Sequence, residues 1–144
     1  MTEARSNRSR LGVWLVTAVG VFLLLASIYP LVVPVNEDDF ADTTGVEWSD
    51  FSAAEPEVAD YLEREARLLG AIAVGFALLS LAIALGPLRQ GNAATWKAMW
   101  VFPLGVALVA AVFLAAGGGF LGAFYGALAA AAALGMWMSR PAPA

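Results

Sequence analysis

The sequence contains no cysteine and no histidine among its 144 residues. Without cysteine the chain has no disulfides, no thiol redox chemistry and no thiolate metal ligands, and without histidine it lacks the commonest metal ligand and general base. These two absences exclude most familiar catalytic constellations. We therefore expect no catalytic residue, no metal and no cofactor, and we consider an enzyme the less favoured class.

Charged residues are scarce as well. They make up 14% of the chain, against about 25% in a typical soluble protein, while hydrophobic residues make up 60% and the mean hydropathy is +0.74. This composition predicts an integral membrane protein whose surroundings are the lipid bilayer and not nucleic acid. Spans of about 20 residues each consume most of the length, so we expect a single membrane domain over 1–144.

Long runs of the chain contain no charge at all. The first, Leu11 to Val35, has 25 residues, which is enough to cross a hydrocarbon core of about 30 Å and too long for the apolar region of a signal peptide. A later run, Ala98 to Ser139, has room for two spans divided at Gly117-Gly118-Gly119. The sequence therefore predicts an all-α, four-helix transmembrane bundle, with spans at about 11–35, 68–88, 98–116 and 120–138.

Nearly all of the acid lies in one stretch, residues 36–67, which we call the acidic segment. It holds eleven of the twelve acidic residues and two arginines, a formal charge of −9. Lys and Arg near span ends favour the cytoplasmic side; six lie outside the segment, at Arg5, Arg8, Arg10, Arg89, Lys97 and Arg140. We expect a multi-pass protein of the inner or plasma membrane with both termini cytoplasmic and the acidic segment extracytoplasmic.

Local signals divide the acidic segment in two. The Asp, Thr and Gly residues through Gly45 favour turns, so the first part is expected to be irregular. Ser52 with Glu55 matches a capping box, and Pro56 suits a first helical turn. These residues predict a helix that starts near Glu55 and continues directly into the second span.

The acidic segment is also the best candidate for a recognition surface. A concentrated negative charge attracts cations or a basic protein patch, and we predict that it docks a membrane or extracytoplasmic protein partner. The alternative is that the charge only keeps the segment solvated. The candidate surface comprises Glu37, Asp38, Asp39, Asp42, Trp48, Phe51 and Tyr61.

Two further functions remain open at this stage. The aromatic residues Trp48, Phe51, Tyr61 and Trp14 could cover a small lipophilic molecule bound within the bundle. Trp48 and Phe51 also suit anchoring at the membrane interface or packing over the helix tops. A membrane enzyme using carboxylates at the outer interface is the other alternative. An ion-coupled transporter is disfavoured, because no span contains an ionisable Asp, Glu, Lys, Arg or His of the kind that lines ion pathways.

Small residues recur every four positions in the last span, at Gly118, Gly122, Gly126 and Ala130. Such a ridge allows close backbone approach, which in lipid replaces the hydrophobic drive between helices. We expect it to pack within the bundle. The alternatives are a homo-oligomer formed through the fourth span and contact with a partner helix.

Several short stretches together resemble a known group of proteins. They are Gly45-Val46-Glu47-Trp48, Leu69-Gly70, and the block 82–91 with Trp96, Trp100 and Pro103. Over roughly residues 11–115 the chain is similar to small four-span bacterial and archaeal membrane proteins that are uncharacterised and distantly DoxX-like. The resemblance implies a four-span fold and a membrane location, and it implies no catalytic residue.

Overall fold

The computed structural model describes residues 2–141, with side chains from residue 7 onward. The side chain of Arg5, counted above among the basic residues, lies outside that description. Within residues 2–141 every regular element is a helix, so the all-α prediction is confirmed for the described chain. The elements are α1 (Thr2–Val32), α2 (Glu37–Thr44), α3 (Trp48–Ala54), α4 (Pro56–Ile83), a π-helical turn (Ala84–Leu88), α5 (Ala93–Ala98), α6 (Val101–Ala115) and α7 (Gly119–Met138).

Four helical stretches of the described chain are long and apolar enough to cross a membrane. Within each stretch, only 22% to 33% of an apolar window of 18 residues is buried inside the protein, and large apolar side chains such as Leu25 and Phe120 are exposed. An outer surface this apolar requires lipid as its solvent. The protein is therefore a multi-pass membrane protein, with candidate spans Asn7–Val32, Pro56–Leu88, Ala93–Ala115 and Gly119–Met138.

The chain divides into two compact units. One comprises Met1–Phe22 and Leu78–Ala144, and the other comprises Leu23–Ala77. We call them the terminal unit and the central unit and describe each by itself.

In the terminal unit, α6 and α7 form a helical hairpin. The chain reverses at Gly117, whose φ of +83° is a conformation that glycine adopts without steric cost. The rings of Phe113 and Tyr125 stack across the hairpin with centroids 5.4 Å apart. The predicted division between the last two spans is thus confirmed.

The first part of α1 packs against α7 at two glycines. A Cβ atom built on Gly12 would lie 2.5 Å from the backbone oxygen of Gly135, and one built on Gly135 would lie 2.8 Å from the backbone oxygen of Gly12. Val16, which is buried, lies beside the same contact. The two backbones approach so closely because neither helix carries a side chain at the crossing.

The connection between α4 and α6 departs from a regular α-helix around Pro87. Pro87 lies within the π-helical turn, which is the kind of wider turn that relieves the clash of a proline ring with the preceding turn. The side chain of Asn92 then caps α5 by accepting a hydrogen bond from the backbone N–H of Thr95 at 2.9 Å. From α5, the indole N–H of Trp96 donates to the backbone oxygen of Met136 at 2.7 Å.

In the central unit, the rest of α1 includes Pro30 and ends at Val32. A Cβ atom built on Gly70 would lie 3.2 Å from side-chain atoms of Pro30 and of Leu31, so this part of α1 packs closely on α4. Helix α4 begins at Pro56 and runs without interruption to Ile83. The predicted start near Glu55 and the continuation into the second span are confirmed.

Two local predictions for the acidic segment are wrong. Residues 37–44 are not irregular but form α2, because three acids in its first turn complement the helix dipole and Gly45 closes its C-terminus in the left-handed conformation. Ser52 does not cap α4. It lies inside α3, where its hydroxyl donates to the backbone oxygen of Ser49 at 3.2 Å, and α3 ends only two residues before Pro56.

Candidate functional site in the acidic segment

An aromatic cluster holds α2 and α3 together. The ring of Phe40 in α2 lies 4.9 Å from that of Trp48 and 5.1 Å from that of Phe51, centroid to centroid, and the latter two rings are 5.6 Å apart. Trp48 is only 8% exposed. Aromatic pairs at these distances contribute about 0.5 to 1.5 kcal/mol each beyond the area they bury, so the cluster fixes one helix against the other.

The four acids singled out at the start of the segment all belong to α2 and are all exposed. Glu37, Asp38 and Asp39 form its first turn, and Asp42 follows one turn later. A carboxylate oxygen of Asp39 accepts a hydrogen bond from the Asn36 side chain at 2.8 Å. The carboxylates stay on the outside because the inner side of α2 is occupied by Phe40.

The negative charge of this surface is not neutralised within the described chain. The one ion pair found there joins Arg67 and Glu63 at 3.2 Å; both side chains are exposed, and such a pair contributes little stability. Among the described residues, no group of three or more acids converges closely enough to hold a metal ion. The acids of α2 therefore present a spread of separate carboxylates, which suits a broad basic surface better than a single cation.

The remaining candidate residues lie in different surroundings. Tyr61 is 58% exposed on α4 and has no ring neighbour among the described residues, while Trp14 is 63% exposed on α1 in the terminal unit. Trp48 and Phe51 are packing residues of the aromatic cluster. Sequence reasoning missed their partner Phe40, although a single Phe among the acids of residues 37–42 could have suggested a helix with one apolar side.

The small-residue ridge of α7 is used unevenly. A Cβ atom on Gly122 would lie 2.5 Å from the Leu114 side chain, and one on Gly118 would lie 3.2 Å from the Phe113 backbone oxygen. A Cβ atom on Gly126 meets no atom within 4 Å, and Ala130 is exposed. One end of the ridge thus packs in the α6–α7 hairpin, and the other end is open.

Comparison with family models, with curated proteins and with solved structures gives no match to this chain. The class that the fold defines is a small, all-α, multi-pass membrane protein. Any statement on its function therefore depends on the chemistry of its own surfaces.

Proposed function

We propose that this protein is a binding or accessory module of the inner or plasma membrane that docks a basic partner surface through its acidic segment. The partner is another membrane protein or an extracytoplasmic protein. The similarity to small four-span, distantly DoxX-like proteins is part of the same proposal, since it implies a membrane location without catalysis.

The observation that carries the proposal is that the acids of α2 are held on a folded support. Charge that served only to keep a loop in water would need no defined structure, because a solvated chain meets that need equally well. Here the contacts between Phe40, Trp48 and Phe51 order the helix that displays the carboxylates. Ordering these residues costs conformational entropy, and a fixed acidic surface is what a protein partner can recognise.

The positions of the basic residues support an orientation in the membrane. Arg8, Arg10, Arg89, Lys97 and Arg140 flank span ends outside the acidic segment, and Lys and Arg at such positions favour the cytoplasmic side. We propose that both termini are cytoplasmic and that the acidic segment is extracytoplasmic.

Cysteine labelling tests this orientation, because the chain has no native cysteine. We expect Thr43→Cys to react with an impermeant maleimide in intact cells and Gln90→Cys to react only after the membrane is opened. Both positions are exposed, so a difference in labelling reports the side of the membrane. The opposite pattern would reverse the orientation.

Crosslinking from the same position tests docking. A photoreactive group on Thr43→Cys is the sole cysteine-linked probe in the chain and adjoins the acids of α2. We expect a crosslinked protein partner that disappears in the variant E37Q/D38N/D39N/D42N, because the electrostatic attraction is lost. The attraction should also weaken as added salt shortens the Debye length below about 8 Å.

The matched control removes the same number of charges elsewhere in the acidic segment, as D50N/E55Q/E57Q/D60N. It should keep the crosslink if α2 is the docking surface. An identical, salt-independent set of crosslinks in all three proteins would leave the acidic segment as a solvated element without a docking role.

A further inference from the structure

The terminal unit contains a cleft of about 380 Å³ that the acidic segment does not share. Helix α1 lines it with Ser9, Arg10, Val13, Trp14 and Thr17. The π-helical turn adds Leu85, and Arg89 follows directly after that turn. The volume falls within the range of about 300 to 1,000 Å³ that is usual for small-ligand sites. Because positions 10, 13, 14 and 17 share one face of α1, the cleft is a continuous feature of that helix.

The cleft has two cations and no anion. No acid lines it, and the terminal-unit residues whose side chains the structure describes, 7–22 and 78–141, include no Asp or Glu. Neither Arg10 nor Arg89 has an ion pair with any described residue. Arg8, by contrast, lies 4.1 Å from the centre of the Trp137 ring. The two guanidinium groups of the cleft thus lack a counterion among the side chains of the unit that the structure describes.

The position of the cleft along the spans gives a second, independent indication. Arg10 immediately precedes the 25 uncharged residues of the first span, and Arg89 immediately follows the uncharged run 68–88. Both cations therefore mark the level at which hydrocarbon gives way to headgroups. Trp14 and Leu85, which are 63% and 49% exposed, are the apolar walls beside them.

This combination selects a class of ligand. Arginine binds phosphate oxygens in a planar fork, and the Ser9 hydroxyl, which has no hydrogen-bond partner among the described residues, supplies one more donor. The Thr17 hydroxyl already donates to the backbone oxygen of Val13 at 2.9 Å. A free phosphate ion has no apolar surface to pack against the apolar walls, whereas a phospholipid has both a charged headgroup and an apolar body.

We propose that this cleft binds the phosphate of an anionic phospholipid headgroup. Arg10 and Arg89 hold the phosphate oxygens, and Val13, Trp14 and Leu85 contact the glycerol and the first carbons of the acyl chains. The site lies in a different unit from the acidic segment, and it depends neither on the proposed docking function nor on the orientation of the chain.

Native mass spectrometry of the purified full chain tests the site. The protein in detergent is titrated with phosphatidylglycerol, with phosphatidylcholine of the same acyl chains, and with inorganic phosphate. We expect phosphatidylglycerol to bind most tightly. For R10Q/R89Q its affinity should fall by about tenfold or more, because the charge-assisted hydrogen bonds from both guanidinium groups to the phosphate oxygens are lost.

The control K97Q/R140Q removes two exposed cations of the same unit that do not line the cleft, and its affinity should stay within about twofold of the parent. All four replaced side chains are exposed, so R10Q/R89Q and K97Q/R140Q should both fold, and circular dichroism checks their helix content. R89Q alone is a milder variant of the same site. A third variant, Trp14→Ala, should weaken lipid binding while both arginines remain.

Three results would overturn the proposal. Equal losses in R10Q/R89Q and K97Q/R140Q would mean that charge anywhere on the unit attracts the lipid. Equal affinity for phosphatidylcholine would remove the selectivity for an anionic headgroup. Binding of inorganic phosphate as tight as that of phosphatidylglycerol would make the cleft a site for free phosphate.

Discussion

The contact between Gly12 and Gly135 gives the sharpest prediction for stability. In Gly12→Ala the new methyl group would lie 2.5 Å from the Gly135 backbone oxygen and 2.6 Å from the Ser139 backbone nitrogen. Distances below 3.0 Å are not tolerated, and backbone atoms cannot rotate away as a side chain can. Helices α1 and α7 must therefore separate at this crossing.

The expected magnitude follows from comparing two alanine substitutions. Overpacking of this kind costs about 1 to 3 kcal/mol, while replacing a helical glycine by alanine contributes up to about 1 kcal/mol in favour of the helix. Gly75→Ala has the second effect alone, because a Cβ atom there meets nothing within 4 Å. The difference between the two variants thus isolates the close contact, and we expect Gly12→Ala to be less stable than Gly75→Ala by about 1 to 3 kcal/mol.

The measurement is the free energy of unfolding of each variant in mixed micelles, followed by far-ultraviolet circular dichroism as a denaturing detergent is added. Gly135→Ala should behave as Gly12→Ala does, and the double variant should cost less than the two single variants added together, since both act on one contact. Equal stability of Gly12→Ala and Gly75→Ala would refute the close approach of the two helices.

Three further predictions concern packing elsewhere in the chain. Gly122→Leu should lower the free energy of unfolding by about 1 to 3 kcal/mol, because the Leu114 side chain occupies that space, whereas Gly126→Leu should not lower it. Similar losses in both variants would mean that the two glycines are packed alike. Trp96→Phe removes the hydrogen bond to the Met136 backbone oxygen and should lower the free energy of unfolding by about 0.5 to 1.5 kcal/mol in the same titration. The control Trp100→Phe should lower it by less, and a larger loss in Trp100→Phe would contradict the role of that hydrogen bond. Trp48→Ala should disrupt the aromatic cluster and speed hydrogen exchange in residues 37–54, measured by mass spectrometry. The control Val46→Ala, at a side chain that is 44% exposed, should leave hydrogen exchange unchanged. Unchanged exchange in Trp48→Ala would show that α2 and α3 do not depend on the aromatic cluster.

Some features of the fold follow from short stretches of sequence, because they depend only on the residues within each stretch and not on contacts with other helices. An uncharged run of about 20 apolar residues favours a membrane-spanning helix whatever its neighbours are, and the breaks at Pro56 and at Gly117 reflect the backbone chemistry of proline and glycine. The number of spans, the all-α class and the continuous helix α4 could therefore be predicted. The formal charge of the acidic segment is likewise a property of composition.

The tertiary structure decided which residues meet. Asp and Thr in residues 37–44 indicated turns, yet these residues form a helix. The acidic first turn and Gly45 favour it locally, and packing of Phe40 on Trp48 and Phe51 stabilises it further, since contacts between elements outweigh a weak local propensity. The spacing of small residues in α7 gave no means of separating Gly122, which packs tightly, from Gly126, which does not. The pairing of Gly12 with Gly135 and the meeting of Arg10 with Arg89 at one cleft join residues far apart in the chain. No local pattern encodes such pairs, because they arise only when the helices have packed.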